Sequence, residues 1–139
     1  MTQATRLIIE SGNSIVFIRR VKKIAGEMKE FYVLPGGELE ENETWEEAGI
    51  REAKEELDVV VELESLLVED EVKKFNKLER YYFAKVVSGR IKNGKGEEFT
   101  KPDFEKYGSY EVVKLSKKEL GAYNILPTNI KDLLVATYV

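Results

Sequence analysis

Residues 36–59 read GGELEENETWEEAGIREAKEELDV, and within them Arg51-Glu52-Ala53-Lys54-Glu55-Glu56 sets three carboxylates on one side of an expected helix. At roughly 100° per residue, Glu52, Glu55 and Glu56 fall within an arc of about 100°. Like charges at i,i+3 and i,i+4 oppose helix formation. A hard divalent cation removes the conflict: Mg²⁺ or Mn²⁺ takes oxygen ligands from one or two carboxylates and leaves positions for substrate phosphates. The competing account is a solvated acidic face in which Glu47 to Arg51 and Arg51 to Glu55 are ordinary i,i+4 pairs. For an acidic helix taken alone, the solvated face is the favoured account.

That spacing resembles the Nudix hydrolase signature: Gly, five residues, Glu, seven residues, Arg-Glu, an aliphatic residue, any residue, Glu-Glu, any residue, Gly, aliphatic. Gly37, Glu43, Arg51, Glu52, Ala53, Glu55, Glu56 and Val59 take those places. Two positions depart from it. Ala53 is smaller than the usual aliphatic, and Asp58 stands where the family has the glycine that ends the helix. Outside the motif the similarity is one of layout. The resemblance implies an α/β protein, a Nudix-type α/β/α sandwich with a mixed β-sheet between helices, built as a single domain over 1–139.

The resemblance further implies that Glu52 and Glu56 bind a divalent metal directly and that Glu55 does so directly or through water. It implies the Gly36 carbonyl as a further ligand, and a supporting Arg51–Glu43 ion pair that orients the metal-binding turn. The implied chemistry is attack of water on a phosphorus of a diphosphate linkage in a nucleoside diphosphate derivative. The general base is either Glu52 or a carboxylate of the later loop, with Glu98 ahead of Glu97 and Glu105 because it follows Gly94-Lys95-Gly96.

Composition bounds the alternatives. At 139 residues and 42% hydrophobic the chain suits one domain with a continuous core. It has no cysteine, which excludes disulfides and thiolate metal sites and agrees with a reducing cytoplasm, the expected location. It has no histidine, so a general base must be a carboxylate, a lysine, a tyrosine or metal-bound hydroxide. No apolar run approaches the roughly 20 residues of a membrane span, and MTQATRLIIESGNS lacks the cleavage pattern of a signal peptide. A net charge of −4 argues against coating a nucleic acid polymer. A small-molecule nucleotide is the expected partner, with the protein a monomer or homodimer.

Read along the chain, Leu7 to Glu10 and Ser14 to Arg20 are expected strands, and Val21 to Glu30 a charged connection to a short strand, Phe31 to Leu34. The helix is expected from Thr44 to Leu57, capped by Asn42 or Thr44, with Gly49, Ile50, Ala53 and Leu57 facing the sheet. Strands follow at Val59 to Val68 and Glu79 to Val87. After a loop from Gly89 to Gly96 come a strand from Ser109 to Leu115 and a helical turn from Ser116 to Leu120. A last helix opens at Pro127, with Ile130, Leu133 and Leu134 on one face.

The sequence is least informative about the substrate. Arg19 or Arg20 is a candidate phosphate contact, and Tyr32, with Phe31, Tyr81, Tyr82 and Phe83, offers either a stacking surface or core. Asn129 either reads a base edge or shares the N-cap with Thr128. The first choice is an ordinary or oxidised nucleoside triphosphate; dinucleoside polyphosphates, ADP-ribose and nucleotide sugars stay open. A noncatalytic Nudix-like sensor would have lost motif carboxylates or gained a further domain, and the motif here keeps its acids.

Overall fold

A computed structural model describes residues 1–92, 94–95 and 108–139. The chain forms two compact units, Met1–Glu10 with Leu34–Lys92, and Ser11–Val33 with Asn93–Val139.

The first unit carries strands β1 (Thr2–Ser11), β4 (Gly36–Glu38), β5 (Val60–Val72) and β6 (Lys77–Ser88) and helix α1 (Trp45–Leu57). β1 pairs in parallel with β6 and antiparallel with β4, and β5 is antiparallel to β6, so this sheet is mixed. Ala4, Leu7, Ile8 and Ile9 of β1 are fully or almost fully buried, as are Ala53, Leu57 and Val59. Leu7, Ile8 and Ile9 form a continuous apolar run that reads as a strand covered on both faces. α1 lies close to the sheet because Gly49 lets it: a Cβ there would stand 3.0 Å from Thr5 Cγ2 and 3.2 Å from Leu7 Cδ2.

The second unit carries β2 (Ser14–Ile24), β3 (Glu27–Val33), β7 (Gly94–Lys95), β8 (Ser109–Ser116), a 3₁₀ turn at Lys117–Ala122 and helix α2 (Thr128–Tyr138). β2 is antiparallel to both β3 and β8, and β7 is antiparallel to β8. Ile15, Phe17, Leu120, Ile125, Ile130 and Leu134 are fully buried. Among the described residues no helix is long and apolar enough to cross a membrane.

Several expectations are corrected. Val21 to Glu30 is not a connection; it belongs to the β2–β3 hairpin, with Lys22 opposite Lys29 and Ile24 opposite Glu27. Its two-residue turn is Ala25-Gly26, both with positive φ, the geometry that matches strand twist. β4 was not expected, and part of the Gly89 to Gly96 loop is strand β7. On α1 the buried residues are Ala48, Gly49, Ala53 and Leu57, so Ala48 replaces Ile50 on the inner face. On α2, Ile130 and Leu134 are buried but Leu133 is exposed, and the N-cap is Pro127 without a side-chain bond, so Asn129 and Thr128 do not cap it.

Candidate metal and catalytic site

All atoms of the candidate metal site belong to the first unit. α1 begins with a capping box: Thr44 accepts from the Glu47 N–H while the Glu47 carboxylate accepts from the Thr44 N–H. The buried Thr5 hydroxyl donates to the Trp45 carbonyl at 2.7 Å, tying the first turn to β1. The helix ends at Asp58, whose φ of 58° and ψ of 39° are left-handed. Both ends being fixed, the acidic face is fixed with them.

The turn facing it, Leu34-Pro35-Gly36, is also held to β1. The Leu7 N–H donates to the Pro35 carbonyl at 2.9 Å, and Arg6 Nη1 reaches the Leu34 carbonyl at 3.4 Å and the Gly36 carbonyl at 3.2 Å. The Gly36 N–H donates to Glu56 Oε1 at 2.8 Å. Gly36 has φ 141° and a Cβ there would overlap the Thr5 carbonyl oxygen, so the position admits glycine alone. At Gly37 a Cβ would run into the Glu52 carboxylate.

Arg51 is a hub rather than half of a pair. Its Nε and Nη2 bind the two Glu43 oxygens at 2.8 and 3.1 Å, its Nη1 donates to Glu52 and Glu55, and its Nη2 also donates to the Glu38 carbonyl. The bidentate bond holds the Glu43 carboxyl below its ordinary range. Burial pushes the Glu56 carboxyl up to about 7, against the Gly36 N–H that pulls it down. Burial likewise raises Glu52. These two are the carboxylates set against the glycine turn. The Glu55 side chain is 55% exposed, against 16% for Glu52.

The family model described as the NUDIX domain matches residues 1–128. The chain belongs to the Nudix family. Membership makes it a pyrophosphohydrolase acting on nucleoside diphosphate-linked substrates, in a family that uses divalent metal ions. A search of curated protein sequences gave no match. Among solved structures, a NUDIX hydrolase from Nitrosomonas europaea is similar at 23% identity and TM-score 0.71, over 96% of this chain and 67% of that one. An ADP-ribose pyrophosphatase from Streptococcus suis is similar at 16% identity and TM-score 0.63, over 99% and 92%. A MutT protein from Methanosarcina mazei Go1 is similar at 16% and 0.64, over 97% and 91%. The fold is that of Nudix hydrolases, the α/β class expected from the motif.

The Nudix motif thus brings Gly36, Glu43, Arg51, Glu52, Glu55 and Glu56 together. Among the described residues, however, no three acidic side chains stand as a ready cluster for a metal ion. Glu52 and Glu55 are turned to Arg51, and Glu56 to the Gly36 amide. The donor set still fits a hard cation: its groups are carboxylate oxygens and a carbonyl, and the missing Cβ of Gly37 leaves the Glu52 carboxylate space.

The remaining candidates are placed differently. Arg19, Arg20, Tyr32 and Asn129 belong to the second unit. Arg19 is paired with Glu30 and Glu111. Arg20 donates to the Ser109 carbonyl and lies 3.7 Å from the Tyr110 ring centroid. Tyr32 is 8% exposed and packs edge-on against Tyr123, a core position. Asn129 is exposed near the start of α2. Glu98, with Glu97 and Glu105, lies outside the described residues. Sequence reasoning missed Arg6 and Glu79, whose only signal was an arginine inside an apolar strand and a glutamate at the start of another.

Two predictions arise here. The folded metal-free protein keeps the Glu56 proton up to about pH 7, whereas an unfolded chain loses it near the ordinary 4.5. The proton-bound fold is therefore favoured at low pH, and this term is lost as pH rises from about 4.5 to 7, by about 3 kcal/mol. Glu52 acts in the same direction. Melting of the metal-free protein should fall between pH 5 and pH 7.5, and the fall should shrink in Glu56→Gln to what Glu52 contributes; an unchanged slope in that variant would refute the assignment. Separately, Asp58→Gly removes a side chain from a left-handed residue together with the exposed Lys54 pair. It should melt at the same or a higher temperature and stay active, and a clear fall would show that the pair outweighs the backbone strain.

Proposed function

We propose that this Nudix hydrolase is a single domain over 1–139 that uses Mg²⁺, or Mn²⁺ in its place, to hydrolyse an ordinary or oxidised nucleoside triphosphate to the monophosphate in the cytoplasm. The observation that carries the metal site is the placement of Glu52 and Glu56 against the Gly36-Gly37 turn, with Arg51 locked to Glu43 beside them. Glu52, Glu56 and the Gly36 carbonyl would hold the cation, with Glu55 joining directly or through water. When bound, the cation shields diphosphate oxygens and acidifies water.

This chain's own groups do the rest. Arg51 fixes Glu43 and keeps Glu52 in reach. Glu52, whose proton affinity burial raises, is suited to take a proton from the attacking water; Glu98 is the alternative base. Arg19, Arg20, Tyr32 and Asn129 are the proposed substrate contacts; Arg19 first needs release from Glu30 and Glu111, and Tyr32 from its packing on Tyr123. The similar structures include an ADP-ribose pyrophosphatase and a MutT protein, so ADP-ribose, dinucleoside polyphosphates and nucleotide sugars belong in the same test.

A Mg²⁺-dependent screen of nucleoside diphosphate derivatives, with products identified and ¹⁸O-labelled water, tests the proposal. Label is expected in a phosphate of one product. Inorganic phosphate released from a simple monoester as the main activity would overturn it.

A further inference from the structure

Arg6 has no place in the motif, yet it touches the turn that the motif depends on. Its Nε is paired with Glu79 Oε2 at 3.0 Å, and Glu79 is only 8% exposed. The same guanidinium donates from Nη1 to the carbonyls of Leu34 and Gly36. Between those two carbonyls, that of Pro35 is taken by the Leu7 N–H. Three successive carbonyls are thus held from β1, two of them by one side chain. The peptide planes on either side of Gly36 are consequently held by different groups, the preceding one by Leu7 and Glu56 and the following one by Arg6.

We propose that Arg6, anchored by Glu79, is a positioning residue for the metal-binding turn, setting the direction of the Gly36 carbonyl. Gly36 opens β4, whose pairing with β1 starts there, and because glycine at φ 141° has no Cβ to restrict its own rotation, the Arg6 bond narrows the direction of its carbonyl further. Glu79 also has Lys77 Nζ at 3.9 Å, so Arg6 is held by a carboxylate that two cations share. A carbonyl oxygen has two lone pairs, so the Arg6 bond and a cation can share it. The inference rests on the Gly36 carbonyl being a metal ligand, as proposed above.

The test uses the full-length protein as Arg6→Met/Glu79→Gln, which removes the clamp while leaving net charge unchanged, and as Arg6→Lys, which keeps a cation for Glu79 but loses the fork. Three quantities are read: Mn²⁺ affinity by electron paramagnetic resonance without nucleotide, exchange of the Gly37 and Leu7 amides without metal, and kcat against KM; the Gly37 N–H shares a peptide plane with the carbonyl that Arg6 holds. The double variant should bind Mn²⁺ about tenfold or more weaker, the range for groups that orient ligands. It should lose Gly37 amide protection while keeping that of Leu7, and lose kcat more than KM; Arg6→Lys should recover part of each. Unchanged Gly37 protection with wild-type Mn²⁺ affinity would overturn the inference. If Gly37 protection falls but Glu56→Gln leaves Mn²⁺ affinity untouched, the clamp stands and the metal assignment fails instead. Should the double variant unfold, Arg6→Lys carries the same readings, and wild-type values in it would overturn the fork as the positioning element.

Discussion

Glu56→Gln is expected to lower hydrolysis about a thousandfold at saturating Mg²⁺, roughly 4 kcal/mol in barrier terms. The substitution keeps the shape and keeps an oxygen that accepts from the Gly36 N–H, the bond the carboxylate makes at 2.8 Å. What disappears is one formal charge at the position most suited to share a metal with Glu52. Glutamine resembles the protonated carboxyl that burial already favours up to about pH 7, so the variant should fold normally and its metal-free form should melt no lower than the wild type. The thermal shift on adding Mg²⁺ should shrink sharply. Glu52→Gln should behave in the same way. Retention of more than about a tenth of turnover in either variant, a loss under about 1.4 kcal/mol, would remove that residue from the metal site.

The parts of this site that were legible in the sequence are those that one helix builds from its own spacing. The acidic face and a cap at Asn42 or Thr44 follow from local rules of periodicity and capping, and the helix end at Asp58 from the resemblance; the structure has the helix within a residue of the expected bounds, with Thr44 as the cap. Contacts that the fold makes between distant segments were not legible. Arg6 and Glu79 are separated by 73 positions, and nothing in either local pattern pairs them until β1 and β6 lie side by side. The β2–β3 hairpin was hidden for a different reason. Its Ala25-Gly26 turn lacks the usual asparagine or aspartate signal, and its arms carry Lys22 opposite Lys29, a pair that pattern reading assigns to solvent. Tyr32 and Arg20 show the limit for substrate contacts. Residue type alone left Tyr32 as either stacking surface or core and Arg20 as a candidate phosphate contact, whereas burial and the rings around them decide what each can touch.

Gly36→Ala and Gly37→Ala should separate the fold of the turn from its chemistry. At Gly36 the added methyl meets backbone: it overlaps the Thr5 carbonyl oxygen and lies 2.9 Å from Arg6 Cα, in a conformation of φ 141° that side chains rarely adopt. β1 cannot yield without breaking its pairing with β4 at Arg6 and Gly36. Overpacking and backbone strain together should destabilise by about 3 kcal/mol or more, lowering the melting temperature by roughly 10 °C. At Gly37 the atoms nearest the methyl belong to a side chain, the Glu52 carboxylate, with its Cδ at 2.7 Å. A flexible side chain can move aside, so Gly37→Ala should melt close to wild type, yet it displaces a carboxylate proposed to hold the cation. Its hydrolysis should fall about tenfold or more, with Mn²⁺ affinity falling alongside. Equal melting losses in the two variants would mean that Glu52 is as rigidly held as the strand backbone. Full activity in Gly37→Ala would mean that the position of Glu52 against the turn does not matter to the reaction.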